Sequence, residues 1–411
     1  MKSNLRNLNL FLYLITFVLS LGLGSLPVFG SNSFSSTIED DNQINALPFT
    51  VEGILSYDNR NGSTSLGRNY LCRVMDHDHN SSDDMLWEGE TGRYGEFTSA
   101  LIANFDNDGD DGNYLLDIYV FCRTRSTNLQ QVVLHPTIRL PYAFSSPIVH
   151  DVSTSKVIRS IHVLNTDNRS PAMWIYEDMI RVYEYWDLFS GFDSAPAQTI
   201  WQYGINEYRG CINTSCFISQ TNSTYPVPEV FISDMRKTSK DTVVHELGHA
   251  YIYDFVGSLG TCDGQPHSIK SISTLSCAWS EGWADFLPLF MNGDDCYDFE
   301  LGPCSGSHVD LENASYLDLP TYFNHGEAVE GRVAGALYDL VDGNNESFDL
   351  VGLPLDLMVN VLHSPPLETS FPVFWNNWIK FGNGYEVELD SIFFLNTVGK
   401  KIFLPLILES R

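Results

Sequence analysis

Two histidines and a glutamate lie close together in one short segment that is suited to metal chemistry. Residues 245–249 read His-Glu-Leu-Gly-His. Side chains four residues apart on a helix project from one face, so His245 and His249 can reach the same metal ion. Glu246 then lies beside a water bound to that metal and can accept its proton. The spacing predicts a zinc ion, Zn²⁺, and hydrolysis of a peptide bond.

A second pair of acids follows in a segment that opens another predicted helix. Glu281 and Asp285 are four residues apart and share a face of that helix. Glu281 supplies a third metal ligand, and Asp285 can accept the second imidazole proton of a ligand histidine. Three protein ligands leave one position of a tetrahedral zinc open, which is typical of a catalytic site. The alternatives are solvated histidines, an ordinary acid in the first turn of a helix, and a surface aspartate.

A helical His-Glu-x-x-His followed by a helical Glu-x-x-x-Asp resembles the gluzincin metallopeptidases, over roughly residues 160–345. The roles that this resemblance implies are zinc ligands for His245, His249 and Glu281, general base for Glu246, and support of His245 by Asp285. The phrases at residues 277–286 and 329–339 look like a secreted branch of these enzymes rather than the thermolysin-like core group. One departure is the gap of 31 residues between His249 and Glu281, which leaves the subfamily and its specificity open.

Peptide hydrolysis also needs a hydrogen-bond donor at the substrate oxygen on which negative charge develops. Such donors often supply the largest single contribution to stabilising the transition state. His325 and Arg332 are the two candidates, and they rank about equally on sequence. Arg332 lies in a predicted helix over residues 327–341. The alternatives are a buried ion pair for Arg332, with Glu330 or another acid, and a loop position for His325.

The elements that must position these residues predict an α+β, zincin-like catalytic domain over residues 149–411. Apolar periodicity predicts a helix over 172–189, strands at 200–203 and 229–233, the two zinc helices, and further helices at 355–362 and 371–381. Asp241 or Thr242 is the expected cap of the helix that carries the two histidines. The cleft is expected between the sheet and a helical lower lobe.

The first 30 residues have the features of a secretory signal peptide. Lys2 and Arg6 precede an apolar core of 14 residues, from Leu10 to Leu23. That core is shorter than the about 20 residues that a membrane span needs. The chain is therefore predicted to be secreted, with no transmembrane segment after signal removal; an uncleaved anchor is the alternative.

Residues 31–47 read as a flexible lead-in, and residues 48–148 as a small all-β sandwich that precedes the catalytic domain. Short apolar runs alternate with turn clusters in the second segment. The predicted strands cover 49–57, 69–75, 95–103, 114–123 and 131–140. Phrases such as Gly53-Ile-Leu-Ser-Tyr57 look like the transthyretin-like domains attached to secreted peptidases, which implies a binding or stabilising appendage.

An acidic loop in this first domain is a candidate calcium site. Asn104, Asp106, Asp108 and Asp110 place oxygen side chains at alternate positions, as ligands for Ca²⁺. Leu115 stands where an EF-hand needs a bidentate glutamate, so an EF-hand is excluded. A solvated acidic turn is the alternative interpretation. The segment 76–79, Asp-His-Asp-His, is a second metal candidate against the alternative of a polar loop.

The eight cysteines all follow the predicted signal peptide, and an even number favours disulfides in an oxidising compartment. Proximity in the sequence suggests four pairs, which are Cys72 with Cys122, Cys211 with Cys216, Cys262 with Cys277, and Cys296 with Cys304. The third pair closes the insertion between the two zinc helices. That insertion carries His267, for which a solvent-exposed loop is the favoured interpretation and a role in shaping the cleft the alternative.

Composition excludes some partner classes. The chain has 23 basic and 52 acidic residues and a formal net charge of −29, so nucleic acid is not an expected partner.

The prediction is a secreted zinc-dependent peptidase acting on peptides or proteins through a zinc-bound water activated by Glu246. The alternatives are a catalytically silent zinc-containing adhesion or binding protein and a hydrolase of non-peptide amides. The sequence leaves the oligomeric state open.

Overall fold

The computed structural model describes residues 47–106, 114–190, 198–260, 262, 267–300, 308–311, 326–343, 351–363, 369–381 and 384–398. The predicted signal peptide and nearly all of the predicted lead-in lie outside this part of the chain. The described residues form a mixed fold of helices and several small sheets. None of the helices in these ranges combines the length and the apolar character needed to cross a membrane.

Most strands of this fold are short. They are β1 (Thr50–Asp58), β2 (Thr64–Leu66), β3 (Leu71–Asp76), β4 (Asp84–Glu90), β5 (Glu96–Thr98), β6 (Ile118–Arg123), β7 (Val132–Leu134), β8 (Ala143–Ser145), β9 (Lys156–Ile158), β10 (Ile161–Val163), β11 (Gln198–Ile200), β12 (Glu207–Tyr208), β13 (Cys211–Ile212), β14 (Cys216–Ile218), β15 (Glu229–Phe231), β16 (Cys296–Tyr297) and β17 (Val309–Asp310). The five strands expected near the N-terminus overlap β1, β3, β5, β6 and β7. Strands β2, β4 and β8 were not expected; in β2 and β8, three residues are too few to show an alternating pattern.

Strand β1 organises the first sheet. It pairs antiparallel with β2 and β5 and parallel with β9 and β10. Val51, Leu55 and Tyr57 of this strand are buried, as expected for alternate side chains on the covered face of a sheet. A second sheet has the order β4-β3-β6-β8, and residues of both sheets contribute to one apolar core.

A third sheet supports the segment that carries the His-Glu-Leu-Gly-His motif. Its order is β14-β15-β11-β7, in which β15 pairs parallel with β11 and antiparallel with β14. Strand β7 comes from the predicted sandwich segment, whereas β9 and β10 lie after residue 148 and pair with β1. Strands from the two sides of the predicted boundary are therefore hydrogen-bonded to one another, and the division into domains at residue 148 stays a prediction.

The α-helices of the described residues all come after β10, and the later strands lie between them. They are α1 (Pro171–Ser190), α2 (Lys240–Val256), α3 (Leu275–Asn292), α4 (Glu330–Tyr338), α5 (Leu355–Leu362), α6 (Phe371–Phe381) and α7 (Glu386–Phe393). The cap of α2 differs from the expected one: the Ser239 hydroxyl accepts a hydrogen bond from the Thr242 backbone N–H. A serine just before the first turn satisfies one of the free N–H groups there. Asp241 is already inside the helix.

Helices α2, α3 and α4 pack closely because glycines lie at their contacts. A Cβ on Gly248 of α2 would lie 3.1 Å from the Cα of Ala284, and one on Gly282 of α3 would lie 2.6 Å from the Cβ of Val333. Phe286 of α3 is 0% exposed, and burial of such a side chain contributes about 1.5–3 kcal/mol. This packing holds α2 and α3 at a fixed separation, which sets the distances between their polar side chains.

The disulfides follow the expected pairing as far as the described residues extend. Cys72 is joined to Cys122, Cys211 to Cys216, and Cys262 to Cys277. The first of these bonds links directly opposed residues of the neighbouring strands β3 and β6. Cys296 is also disulfide-bonded, while Cys304 lies outside the described residues.

Candidate metal centre

The crossing of α2 and α3 brings four of the singled-out side chains into one buried cluster. His245 and His249 lie one turn apart on α2, and Glu281 and Asp285 lie one turn apart on α3. Side-chain exposure is 14% for His245, 8% for His249, 12% for Glu281 and 3% for Asp285. Charged groups this buried need partners, because isolated charges are costly to remove from water.

Three atoms of this cluster form a nearly equilateral triangle. The two histidine Nε2 atoms are 3.2 Å apart, and Glu281 Oε2 lies 3.4 Å from His245 Nε2 and 3.2 Å from His249 Nε2. Ligands bound tetrahedrally to zinc at about 2.0–2.1 Å are separated by about 3.3 Å. The triangle therefore fits a zinc ion bound by His245, His249 and Glu281.

Neighbouring groups orient the two imidazoles. Asp285 Oδ1 lies 3.0 Å from His245 Nδ1, and Ser280 Oγ lies 3.5 Å from His249 Nδ1. Each contact uses Nδ1 and leaves Nε2 directed at the triangle, which is how outer partners fix the tautomer of a metal-binding histidine. Asp285 lies beside His245, the histidine that the resemblance implied it supports, and that role stays a prediction; Ser280 was not singled out in the sequence.

Burial and close pairing shift the pKa values of the two acids in this cluster. Burial raises the pKa of Asp285 despite its contact with His245. Burial also opposes ionisation of Glu281, but the adjacent histidines lower the pKa of Glu281 well below its usual value. Glu281 is therefore ionised beside two imidazole nitrogens, which is the form in which a carboxylate binds a metal.

Asp285→Asn is expected to weaken zinc binding by about 10–100-fold without removing the site, because the carboxylate that orients His245 is lost while the three ligands remain. Competition with a graded series of chelators, read by the zinc that stays with the protein, measures this change. An affinity equal to that of the wild type would show that the contact between Asp285 and His245 does not support the metal.

Glu246 lies next to the ligand triangle and is 6% exposed. It lines the same cavity as His245 and Glu281, and the backbone N–H of Phe217 in the edge strand β14 hydrogen-bonds it. Burial raises the pKa of Glu246 above its usual value, partly offset by the two histidines. A higher pKa makes a carboxylate a stronger base, which suits a group that accepts a proton from water.

Other segments form the rest of this cavity. Its lining includes Thr214 and Ser215 before β14, Arg236, the residues 267–270, Tyr297, Phe299 and Glu330. His267 is at the opening: its Nδ1 lies 3.0 Å from Glu330 Oε1 and 4.0 Å from Glu281 Oε2. The contact with Glu330 raises the pKa of His267 to about 9. His267 is 40% exposed in a loop, as the favoured interpretation had it, and it also lines the cavity, as the alternative had it.

Of the two expected oxyanion donors, the structure describes only Arg332. His325 lies outside the described residues. Arg332 is 1% exposed, and its guanidinium Nη1 donates to the backbone carbonyls of Asn396 at 2.9 Å and Thr397 at 3.4 Å. It is absent from the lining of the cavity among the described residues. Arg332 lies on the face of α4 that packs against residues 394–398. Its side chain therefore points to this C-terminal segment of the described fold.

Arg332→Met is expected to lower the free energy of unfolding by about 1–3 kcal/mol, since the Asn396 carbonyl loses its charged donor in a buried place. The same change should leave kcat for peptide hydrolysis close to the wild-type value. Urea unfolding and steady-state kinetics measure the two quantities. A large fall in kcat with unchanged stability would restore Arg332 as a catalytic residue.

The acidic loop of the first sheets is only partly described. Asp108 and Asp110 lie outside the described residues, and the Asn104 amide contacts backbone, donating to Val152 O at 2.5 Å and accepting from Leu116 N at 3.3 Å. Asp106 groups with Asp76 and Asp78, three buried carboxylates whose nearest oxygens lie within 4.8 Å of one another. Burial raises the pKa of Asp76 to about 7. Calcium binding at this loop stays a prediction.

Comparison with known proteins finds one family that matches part of the chain. A family model, the Mycolysin C-terminal domain, matches residues 208–378. The matched range is less than half of the chain and contains α2 with both histidines, and α3 with Glu281. It hints at a secreted metallopeptidase. No curated protein matches the chain.

Three solved structures have low similarity to parts of the chain. A 9R-lipoxygenase from Cyanothece is 13% identical, with 39% of this chain and 24% of the lipoxygenase covered at a TM-score of 0.19. A putative carbohydrate binding protein from Pseudomonas aeruginosa is 16% identical, covering 28% and 88% at a TM-score of 0.16. The major plantain pollen allergen is 10% identical, covering 29% and 91% at a TM-score of 0.19. Scores this low do not establish a shared fold.

Proposed function

We propose that this protein is a secreted zinc-dependent peptidase in which Glu246 acts as the general base. The observation that carries the proposal is the triangle of His245 Nε2, His249 Nε2 and Glu281 Oε2, with edges of 3.2–3.4 Å. Two of its residues, His245 and Glu281, line a cavity that Glu246 also lines. The match of residues 208–378 to the Mycolysin C-terminal domain supports the same class.

The three ligands argue for a catalytic rather than a structural metal. Structural zinc sites are closed by four protein ligands, whereas catalytic sites keep a position for water or substrate. Among the described residues, the metal-ligand group at this place contains three side chains, and it opens to the cavity. Bound zinc supplies Lewis acidity, which lowers the pKa of water and polarises a carbonyl group.

In the proposed reaction, a protein side chain accepts a proton from water and transfers it to the leaving group. Glu246 Oε accepts a proton as water attacks the carbonyl carbon of the peptide, and it passes that proton to the leaving amine nitrogen when the C–N bond breaks. Its contact with the Phe217 N–H holds the carboxylate against the edge strand β14. Asp285 holds His245 in orientation throughout.

Secretion is part of the same proposal. The apolar segment near the N-terminus supports it, and so do the disulfides of the described residues, since disulfides persist in oxidising compartments. Expression of the full chain with its own N-terminus, followed by N-terminal sequencing of the protein in the medium, tests this part. Sequencing that begins at Met1 would contradict a cleaved signal peptide.

The experiment that tests the activity is hydrolysis of a mixed peptide library by the full-length protein, before and after zinc removal with a chelator. We expect cleavage to stop on removal and to return when zinc is restored in stoichiometric amount, because the ligand triangle is the site of the reaction. Cleavage that survives complete removal of zinc would overturn the proposed mechanism. A zinc-loaded protein that cleaves no peptide would favour a silent binding protein.

A further inference from the structure

The segment between α2 and α3 places His267 in the lining of the cavity and is attached to its neighbours at several points. The Cys262–Cys277 disulfide ties it to the first turn of α3. The backbone N–H of Gly331 donates to Ile269 O at 2.9 Å, and that of Ser273 donates to Ala328 O at 2.7 Å. These contacts fix residues 267–273 against the start of α4, so His267 has a defined position.

His267 covers a buried carboxylate. Its Nδ1 lies 3.0 Å from Glu330 Oε1, and the Glu330 side chain is 3% exposed while that of His267 is 40% exposed. A buried carboxylate is costly unless it is paired. Glu330 is not one of the triangle of metal ligands, and its one ion pair shown among the described residues is with His267. The pairing holds the imidazole in place and leaves part of its ring facing the cavity.

The same imidazole is close to the reaction centre. Its Nδ1 lies 4.0 Å from Glu281 Oε2, the oxygen that lies within 3.4 Å of both histidine Nε2 atoms. A substrate carbonyl that reaches the metal-ligand triangle from the cavity therefore enters beside the His267 ring. Among the described residues, His267 lines this cavity, whereas Arg332 is buried and does not.

We infer that His267 contacts the substrate oxygen at the reacting carbonyl and that Glu330 is the residue that positions His267. The inference rests on the proposed peptidase function and adds a second protein side chain, besides Glu246, that touches the reacting atoms. A contact that strengthens as the carbonyl carbon becomes tetrahedral stabilises the transition state more than the bound substrate. Its loss is therefore expected to lower kcat more than it raises KM.

The test compares His267→Ala with the wild type in the full-length, zinc-loaded protein on a fluorescence-quenched peptide library. We expect kcat to fall by about 10²–10³-fold, with zinc content and melting temperature as in the wild type. His267→Gln should recover part of the loss, because an amide N–H can also donate. Glu330→Gln should reduce kcat less than His267→Ala, because the imidazole remains. His150→Ala, at a histidine that is 67% exposed on the first sheets, is the matched control.

A binding measurement separates a catalytic contact from a structural one. Calorimetry with a tripeptide phosphonamidate, whose tetrahedral phosphoryl group replaces the reacting carbonyl, should show a loss of affinity in His267→Ala similar to the loss in kcat. Affinity for a product peptide should change little. A kcat within about twofold of the wild type, or a loss of zinc that accounts for the loss of activity, would overturn the inference. Absence of cleavage by the wild type itself would instead reject the proposed function.

Discussion

Glu246→Gln is expected to lower kcat for peptide hydrolysis by about 10²–10⁴-fold while the protein keeps its zinc. The glutamine has the shape of the carboxylate but cannot accept a proton from water at neutral pH. Glu246 is outside the triangle of ligand atoms, so the three atoms that hold the metal are unchanged. Zinc content by atomic absorption and cleavage of a peptide library, measured on the same preparation, provide the two readouts.

The structure also indicates what this substitution leaves unchanged. The glutamine oxygen can still accept the hydrogen bond from the Phe217 N–H, so the position of the side chain beside β14 should be kept. Equal activity of wild type and Glu246→Gln at matched zinc content would show that another group is the base. Loss of zinc from Glu246→Gln would mean that this residue helps to bind the metal, against the present assignment.

His249→Ala should have the second large effect, on the metal itself. His249 Nε2 lies 3.2 Å from both other atoms of the triangle, so its removal takes away one of three ligands. We expect the loss of zinc affinity to exceed the about 10–100-fold expected for a group that only supports a ligand. Peptide hydrolysis should fall to background at zinc concentrations that saturate the wild type.

A matched histidine separates loss of a ligand from a general effect of removing an imidazole. His162→Ala removes a side chain that is 42% exposed and pairs with Asp58 on the first sheet, and it should leave zinc content unchanged. Equilibrium dialysis of both variants against buffered zinc is the measurement. If His249→Ala retains zinc as tightly as His162→Ala does, His249 is not a ligand.

The candidate site was more predictable than the arrangement of strands around it. The spacing of His245 and His249 requires only one regular helix, because residues four apart always share a helical face. Glu281 and Asp285 follow the same rule on α3. By contrast, strand pairing such as β1 with β9 and β10 depends on which distant segments meet, and three-residue strands carry too little pattern to predict it.

Two polar side chains show what the sequence could not decide. Arg332 and His267 each had a structural and a functional interpretation. Helix α4 directs Arg332 to the backbone carbonyls of Asn396 and Thr397. The segment closed by Cys262–Cys277 instead brings His267 to within 4.0 Å of Glu281.

The sequence by itself singled out the candidate zinc ligands and the candidate base between them, and it suggested the three cysteine pairs that are bonded in the fold. These follow from local rules of helix geometry and from proximity along the chain. Only the tertiary structure decided the 3.2–3.4 Å triangle, the contact of Glu246 with β14, and the neighbours of His267 and Arg332. Those features depend on how far apart α2, α3 and α4 lie, which close packing at Gly248 and Gly282 sets.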